Sequence, residues 1–293
     1  MKTIGIIQAR MGSERLPGKI LAPLGGRPLL AQLCARIRPA RVDEWWLATT
    51  SDPADDVTEA WGFDLGLRVF RGDPTNVLSR FLTIGAEAGA DWIVRVTADN
   101  PFLDASVINL LIDGRDATEE AKRADAIRLR SGIAQGDAGV EMTAGNESNP
   151  GSDGAIETPS LSPGLPLGYG AELVRFSALE RAATEIPDDQ FHHRVHVTSW
   201  LSTGGRASGD DASGQSRAFR PFDLPTPQAW PDRPDWRWTV DTYEDLAMAR
   251  SAFRVFGLAA ANIEYPAMVA LLDRHPEIST MNQHIDQKRL EEG

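Results

Sequence analysis

Apolar positions along the chain fall in short runs separated by longer stretches of helical period. Thr3 to Gln8 is a nearly unbroken apolar run and predicts a buried strand. Pro28 to Ile37 predicts a helix with Pro28 in its first turn. The alternation continues with a strand at Glu44–Thr49, a helix at Pro53–Trp61 capped by Asp52, and a short strand at Leu67–Phe70. It goes on through a helix at Val77–Ala88, a strand at Trp92–Thr97 and a helix at Ala105–Ile112. This order predicts an α/β fold: a Rossmann-like, mostly parallel sheet with helices on both faces. Such sheets bind ligands at the carboxyl ends of their strands, so the loops at 9–19, 49–53, 71–77 and 97–104 are the expected site.

Beyond residue 130 the pattern breaks. Residues 131–166 hold seven Gly, five acids and no Lys or Arg, and read as a flexible acidic insertion or lid. Residues 202–216 read as a second mobile loop. Between them lie a short stretch, Gly168–Phe176, and two expected helices, Ser177–Ala183 and Asp188–Leu201. Strands are expected at Arg217–Leu224 and Trp236–Val240, then helices at Tyr243–Phe256, Pro266–Arg274 and Ser279–Glu291. No internal repeat is visible.

Charge changes this picture. The net charge of −12 argues against a nucleic-acid partner. Residues 1–41 nevertheless carry +7, leaving −19 on the rest, which suits an acidic protein that gathers a small polyanion at one end. Arg36, Arg38 and Arg41 are expected only to decorate a helix. The single cysteine, Cys34, cannot form an internal disulfide and reads as a small buried helix residue. No apolar run approaches the ~20 residues of a membrane span, and the N-terminus lacks the pattern of a signal peptide. A cytoplasmic setting without membrane contact is therefore expected.

The most informative segment is Gln8 to Leu21, QARMGSERLPGKIL, directly after the first strand. Gly12, Ser13 and Gly18 suit a close turn with exposed backbone N–H groups, an anion nest. Arg10, Arg15 and Lys19 crowd into the same loop, and three such cations suit a triphosphate. Ile20 after Lys19 breaks the P-loop pattern, and no G-x-G-x-x-G is present.

This run, followed by Gly25-Gly26-Arg27-Pro28-Leu29-Leu30, resembles the signature of the cytidylyltransferases, in the spore-coat-polysaccharide branch related to the enzymes that make CMP-sialic acid and CMP-Kdo. Four further stretches are similar: Leu47–Asp52; Phe70–Asp73 with Val77–Arg80; Arg95–Pro101, against R-[IV]-T-G-D-x-P; and Arg237–Asp241 with Glu244–Leu246, against R-W-T-V-D-x-x-E-D-L. The resemblance covers roughly residues 1–116 and 168–256. It implies a fold of the nucleotide-diphospho-sugar transferase type, with a nucleotide-binding core at 1–130, the insertion at 131–166, a small acceptor and dimerisation subregion at 167–235, and a return to the core at 236–293. It implies CTP and an acidic small-molecule acceptor as partners, and a homodimer formed around 168–225.

Nucleotidyl transfer needs charge on the triphosphate neutralised, for which Mg²⁺ is the usual agent. Asp99 and Asp241 follow expected strands and suit such a metal. The resemblance gives both that role; the alternatives are a turn carboxylate for Asp99 and a helix N-cap for Asp241. Arg10, Lys19, Asp99 and Asp241 are the expected catalytic set, acting by in-line displacement at the α-phosphorus. Gln8, Ala9, Arg10, Gly12, Ser13, Arg15, Lys19, Asn76 and Asp99 are expected to hold the nucleotide. By resemblance, Gln8, Ala9 and Thr75–Val77 read the base, although Asn76 stands where this branch usually has an acid.

On the acceptor side, Glu172, His192, His193, Arg194 and His196 are the expected contacts, from stretches similar to the family's G-[LM]-D-V-E and R-E-H-V-T. Gly170 and Val195 replace two of the usual acids, which suggests a more anionic acceptor. His192 and His196 are spaced i, i+4, so a zinc site or plain packing is the alternative there. A glycosyltransferase using a nucleotide sugar and a nucleotide-binding regulator are the competing functions.

Overall fold

The computed structural model describes residues 1–129, 164–202 and 219–288. Most of the acidic insertion, the 202–216 loop and the end of the last expected helix lie outside the described residues.

Besides a two-residue hairpin, Pro23–Leu24 with Arg27–Pro28, the described strands are β1 (Thr3–Gln8), β2 (Glu44–Thr50), β3 (Arg68–Gly72), β4 (Trp92–Thr97), β5 (Ala126–Leu129), β6 (Glu172–Arg175) and β7 (Pro221–Leu224). They form one sheet in the order β3-β2-β1-β4-β6-β5-β7. Every neighbouring pair is parallel except the two made by β6, which is antiparallel to both β4 and β5. The helices are α1 (Leu29–Ile37), α2 (Asp56–Asp64), α3 (Val77–Ala88), α4 (Ala105–Ala117), α5 (Glu119–Lys122), α6 (Phe176–Glu185), α7 (His192–His196), α8 (Ser199–Ser202), α9 (Tyr243–Phe256), α10 (Tyr265–Leu272) and α11 (Pro276–Ser279).

Strand alternation sends successive side chains to opposite faces, and both faces are covered. Ile4 and Ile6 of β1 pack with Val77, Leu78 and Phe81 of α3, while Ile7 packs with Leu30 and Leu33 of α1. Full burial of each such isoleucine contributes about 1.5–3 kcal/mol. Trp238 fills the second core, stacked on Phe102 at 4.9 Å and edge-on to Tyr169. Cys34 is buried on α1, as expected.

Register sets the position of the site. Gln8 pairs with Ala48 on one side and Thr97 on the other, so β1 and β4 end level and β2 runs two residues further. Their exit loops therefore share one edge of the sheet.

Four expectations need correction. Trp236–Val240 is not a strand; it is an extended segment with one isolated bridge, Leu167 to Arg237. The helix expected over Asp188–Leu201 is broken at Val197, whose φ of 61° no continuous helix tolerates. The helix expected from Ser279 is already ending there, and 280–288 runs in turns and irregular backbone. Arg36 does not decorate a surface: it is 2% exposed and its guanidinium donates to the carbonyls of Phe102, Ala260 and Ile263 and to Asp104. β6 and β7, both from the stretch 167–235, belong to the central sheet.

Candidate active site

The loop leaving β1 is anchored by two buried apolar side chains, Leu16 and Ile20. Its backbone donors turn inward: Met11 N–H donates to Asp55 (2.7 Å), and Ser13 and Gly18 N–H both donate to the Met11 carbonyl (2.9 Å each). Gly18 sits at φ 71°, where glycine is at ease. The expected backbone nest is therefore absent at Ser13 and Gly18, and Gly12 does not reach the cavity described below. Side chains carry the positive charge.

Lys19 opens a single 3-10 turn and is 9% exposed. Its Nζ lies 2.8 Å from Asp99 Oδ2 and 2.8 Å from Asp241 Oδ1. Burial pulls the ammonium down, but the two carboxylates together outweigh it and hold it above the ordinary lysine range. Burial likewise raises the Asp99 carboxyl, and Lys19 leads the attractions that outweigh it and hold it below the ordinary range.

Asp241 is delivered by α9. Thr242, not Asp241, is the N-cap, completed by a capping box with Asp245. The Asp245 carboxylate accepts from the N–H of Asp241 (2.9 Å) and of Thr242 (3.0 Å), leaving the Asp241 carboxylate for the site. Arg237 bridges Asp245 (2.9 Å) and Asp241 Oδ2 (2.7 Å), and Arg15 reaches the same oxygen at 3.0 Å. The Val240 N–H donates to the Asp99 carbonyl (2.8 Å), which ties the two aspartate-bearing segments together. Next to them Gly168 is obligatory: its φ is 88°, and a Cβ there would come within 2.4 Å of the Thr239 backbone nitrogen.

Two carboxylates thus converge on one ammonium, from points 142 residues apart in the chain. Hard oxygen donors in that number fit Mg²⁺, which takes one or two carboxylates and completes its shell with phosphate and water. No group of three or more His, Cys, Asp or Glu placed to hold a metal ion occurs among the described residues.

These groups border an open cavity of about 520 Å³, which Gln8, Ala9, Arg10, Ser13, Arg15, Lys19, Asp99, Asp241 and His196 all line. Residues 4–135 match the family model described as "Cytidylyltransferase". The chain is 29% identical to the spore coat polysaccharide biosynthesis protein SpsF of Bacillus subtilis (strain 168), over 94% of this chain and 95% of that one. Over the matched residues the chain is similar to the cytidylyltransferases, which are nucleotidyltransferases. Its fold is also that of a cytidylyltransferase structure from Leptospira borgpetersenii (TM-score 0.74, 24% identity, 98% and 100% of the two chains). It is shared with CMP:2-keto-3-deoxy-manno-octonic acid synthetase complexed with CTP (TM-score 0.53, 18% identity, 87% and 99%). No helix of the described residues is long and apolar enough to cross a membrane.

The remaining expected residues do not line the cavity. Asn76 caps α3 by accepting from the Ser79 N–H (3.0 Å). Glu172 stands opposite Arg95 in the β4–β6 ladder, takes its guanidinium at 2.6 Å, and also accepts from Thr198 (2.6 Å). Arg95 in turn donates to Gln8 (3.1 Å), so one polar chain crosses three strands beneath the cavity floor. His193 is buried against Ser199 (2.7 Å) and Trp200, His192 packs on His193, and Arg194 binds the carbonyls of Ala183 and Ile186.

Two cavity cations stood within the family-like stretches but were given no role: Arg95 and Arg80. Each carried a faint signal. Arg95 is the one charge inside the apolar run WIVRVT, and Arg80 falls three residues after Val77 on the buried face of α3.

Proposed function

We propose that this protein transfers CMP from CTP to an acidic small molecule, a sugar acid, phosphonate or phosphorylated compound, releasing pyrophosphate. The convergence of Asp99, Lys19 and Asp241 at the mouth of the β1 loop is the observation that supports it most. Asp99 and Asp241 would hold Mg²⁺, which supplies charge neutralisation on the triphosphate when bound. Lys19, Arg15 and Arg10 hold the pyrophosphate portion, with Lys19 and Arg15 exchanging their aspartate partners for phosphate oxygens as the nucleotide binds. An acceptor oxygen forms its bond to the α-phosphorus as the bond from that phosphorus to the bridging oxygen breaks, and the electron pair leaves on pyrophosphate. Gln8 and Ala9 at the end of β1 face the base, and His196 and Arg95 face the acceptor. The relatives' printed names, one a spore coat polysaccharide protein and one a sugar-acid synthetase, support an acceptor of the sugar-acid class. A homodimer formed around residues 168–225, in the cytoplasm, belongs to the same reading.

The test is pyrophosphate release with Mg²⁺ and each of the four NTPs against a panel of sugar acids, phosphonates and sugar phosphates. Release with CTP and one acceptor supports the reading and names the substrate. Release only with another NTP removes the cytidine assignment, and failure to bind any NTP removes the reading altogether.

A further inference from the structure

Six Lys or Arg side chains line the cavity: Arg10, Arg15, Lys19, Arg80, Arg95 and Lys288. Four of them already have a carboxylate partner within 3.0 Å: Arg15 and Lys19 at Asp241, Arg95 at Glu172, Lys288 at Glu14. Among the described residues, Arg10 and Arg80 have none. Arg10 is exposed and makes one long contact, 3.4 Å to the Pro74 carbonyl. Arg80 is only 2% exposed, and its Nε has no hydrogen-bond partner.

A buried, unpaired guanidinium is costly, because its solvation is lost with nothing in exchange. Burial, followed by the nearby Arg10 charge, pushes Arg80 down to about 10. Asp55 and Asp73 attract it from nearby but do not bond to it: the Asp55 oxygens accept from Met11 N–H, Thr50 and Thr58, and Asp73 Oδ1 accepts from the Thr75 and Asn76 N–H. Its stem lies close against Gly72 of β3, where an added Cβ would come within 2.8 Å of Arg80 Cγ. The side chain is therefore held in an unfavourable place by the fold itself, as a preformed anion receptor would be.

We propose that Arg80 binds a phosphate of the incoming nucleotide together with Arg10, forming a docking pole separate from the Lys19–Asp99–Asp241 cluster. This rests on the nucleotide reading above and deepens it. In the resting protein the Lys19, Arg15 and Arg237 charges are balanced by Asp99, Asp241 and Asp245, so that cluster exerts little pull on an arriving anion. Arg10 and Arg80 keep their charge uncompensated. A guanidinium pair of this kind suits the forked geometry of phosphate oxygens.

The experiment titrates the wild type, Arg80→Met and Arg80→Lys with inorganic tripolyphosphate, CTP and cytidine, and records Tm for each. Arg80→Met should weaken tripolyphosphate and CTP by about 10–100-fold, the range of a lost charge-assisted hydrogen bond, and leave cytidine unchanged. Its Tm should equal or exceed that of the wild type, because an unpaired buried charge is gone. Arg80→Lys should recover part of the affinity. Should Arg80→Met fail to fold, the Arg80 Nε–H resonance of the wild type, assigned by its loss in Arg80→Lys, should shift on adding tripolyphosphate. Unchanged tripolyphosphate affinity in folded Arg80→Met, or an unmoved resonance, overturns the proposal. Equal weakening of cytidine and CTP with tripolyphosphate unaffected also overturns it, in favour of a base contact. A wild type that binds tripolyphosphate but not CTP defeats the cytidine reading alone, and one that binds neither defeats both.

Discussion

The two walls of the cavity use their charged residues differently. On the phosphate-loop wall, Arg15, Lys19, Asp99 and Asp241 meet one another inside the cavity, at 2.8–3.0 Å. On the opposing chain segment, 167–202, charge is turned into the fold: Glu172 orients Arg95, Arg194 holds two carbonyls, and His193 is buried beside Trp200. The first arrangement is a set of ion pairs open to the cavity, and the second is tied to backbone and side chains within the fold. Val197 belongs to the second: its positive φ, a conformation costing about 1–3 kcal/mol, precedes Thr198, whose hydroxyl donates to Glu172.

Breaking the first wall should give the largest effect. Lys19→Ala removes the cation shared by two carboxylates, and kcat, read by pyrophosphate release, should fall at least about 100–1000-fold in a folded protein. Near-normal turnover would show that the cluster is only structural. Glu172→Gln tests the second wall. It loosens Arg95 without touching the phosphate loop, and should lower kcat/KM for the acceptor about 10-fold with nucleotide affinity intact. An equal loss of nucleotide affinity would place Arg95 on the nucleotide side. Arg194→Ala leaves two carbonyls unpaired, so it should cost about 1–3 kcal/mol in denaturant unfolding while turnover per folded molecule stays the same. A fall in kcat/KM at unchanged stability would return Arg194 to the acceptor site.

The smallest effect is a control on neither wall. Burial pushes the Cys34 thiol up to about 12. Between the ordinary thiol value of about 8.5 and that point, the unfolded chain loses its proton while the folded chain keeps it, so stability declines as pH rises. Cys34→Ala should flatten the decline in Tm from pH ~8.5 upward. An unchanged slope would mean that the thiol ionises in the folded state, and the native protein would then react with a thiol reagent at that pH.

Much of the first wall was legible because its residues are local. Arg10, Arg15 and Lys19 lie in one loop, and Asp99 follows a strand whose apolar run is unambiguous. Asp241 was legible as a residue but not in its setting, since the expected strand before it is an extended segment held by long-range contacts, and Thr242 takes the capping role. The acceptor residues were read from resemblance to a stretch of sequence, and only His196 of the five lines the cavity. Arg80 and Arg95 were given no role because a single charge on a helix or strand does not say which cavity the fold will turn it toward.

Sequence alone therefore determined the β-α alternation, the basic loop after the first strand and the two aspartates, all set by hydrophobic period and local charge. Tertiary structure decided the rest: that β6 enters antiparallel between β4 and β5 and so brings Glu172 to Arg95, that Lys19 stands between Asp99 and Asp241, and that Arg80 is buried without a partner. Each of these depends on pairing register or on burial among distant segments, and neither property is written in the residues that any one segment contains.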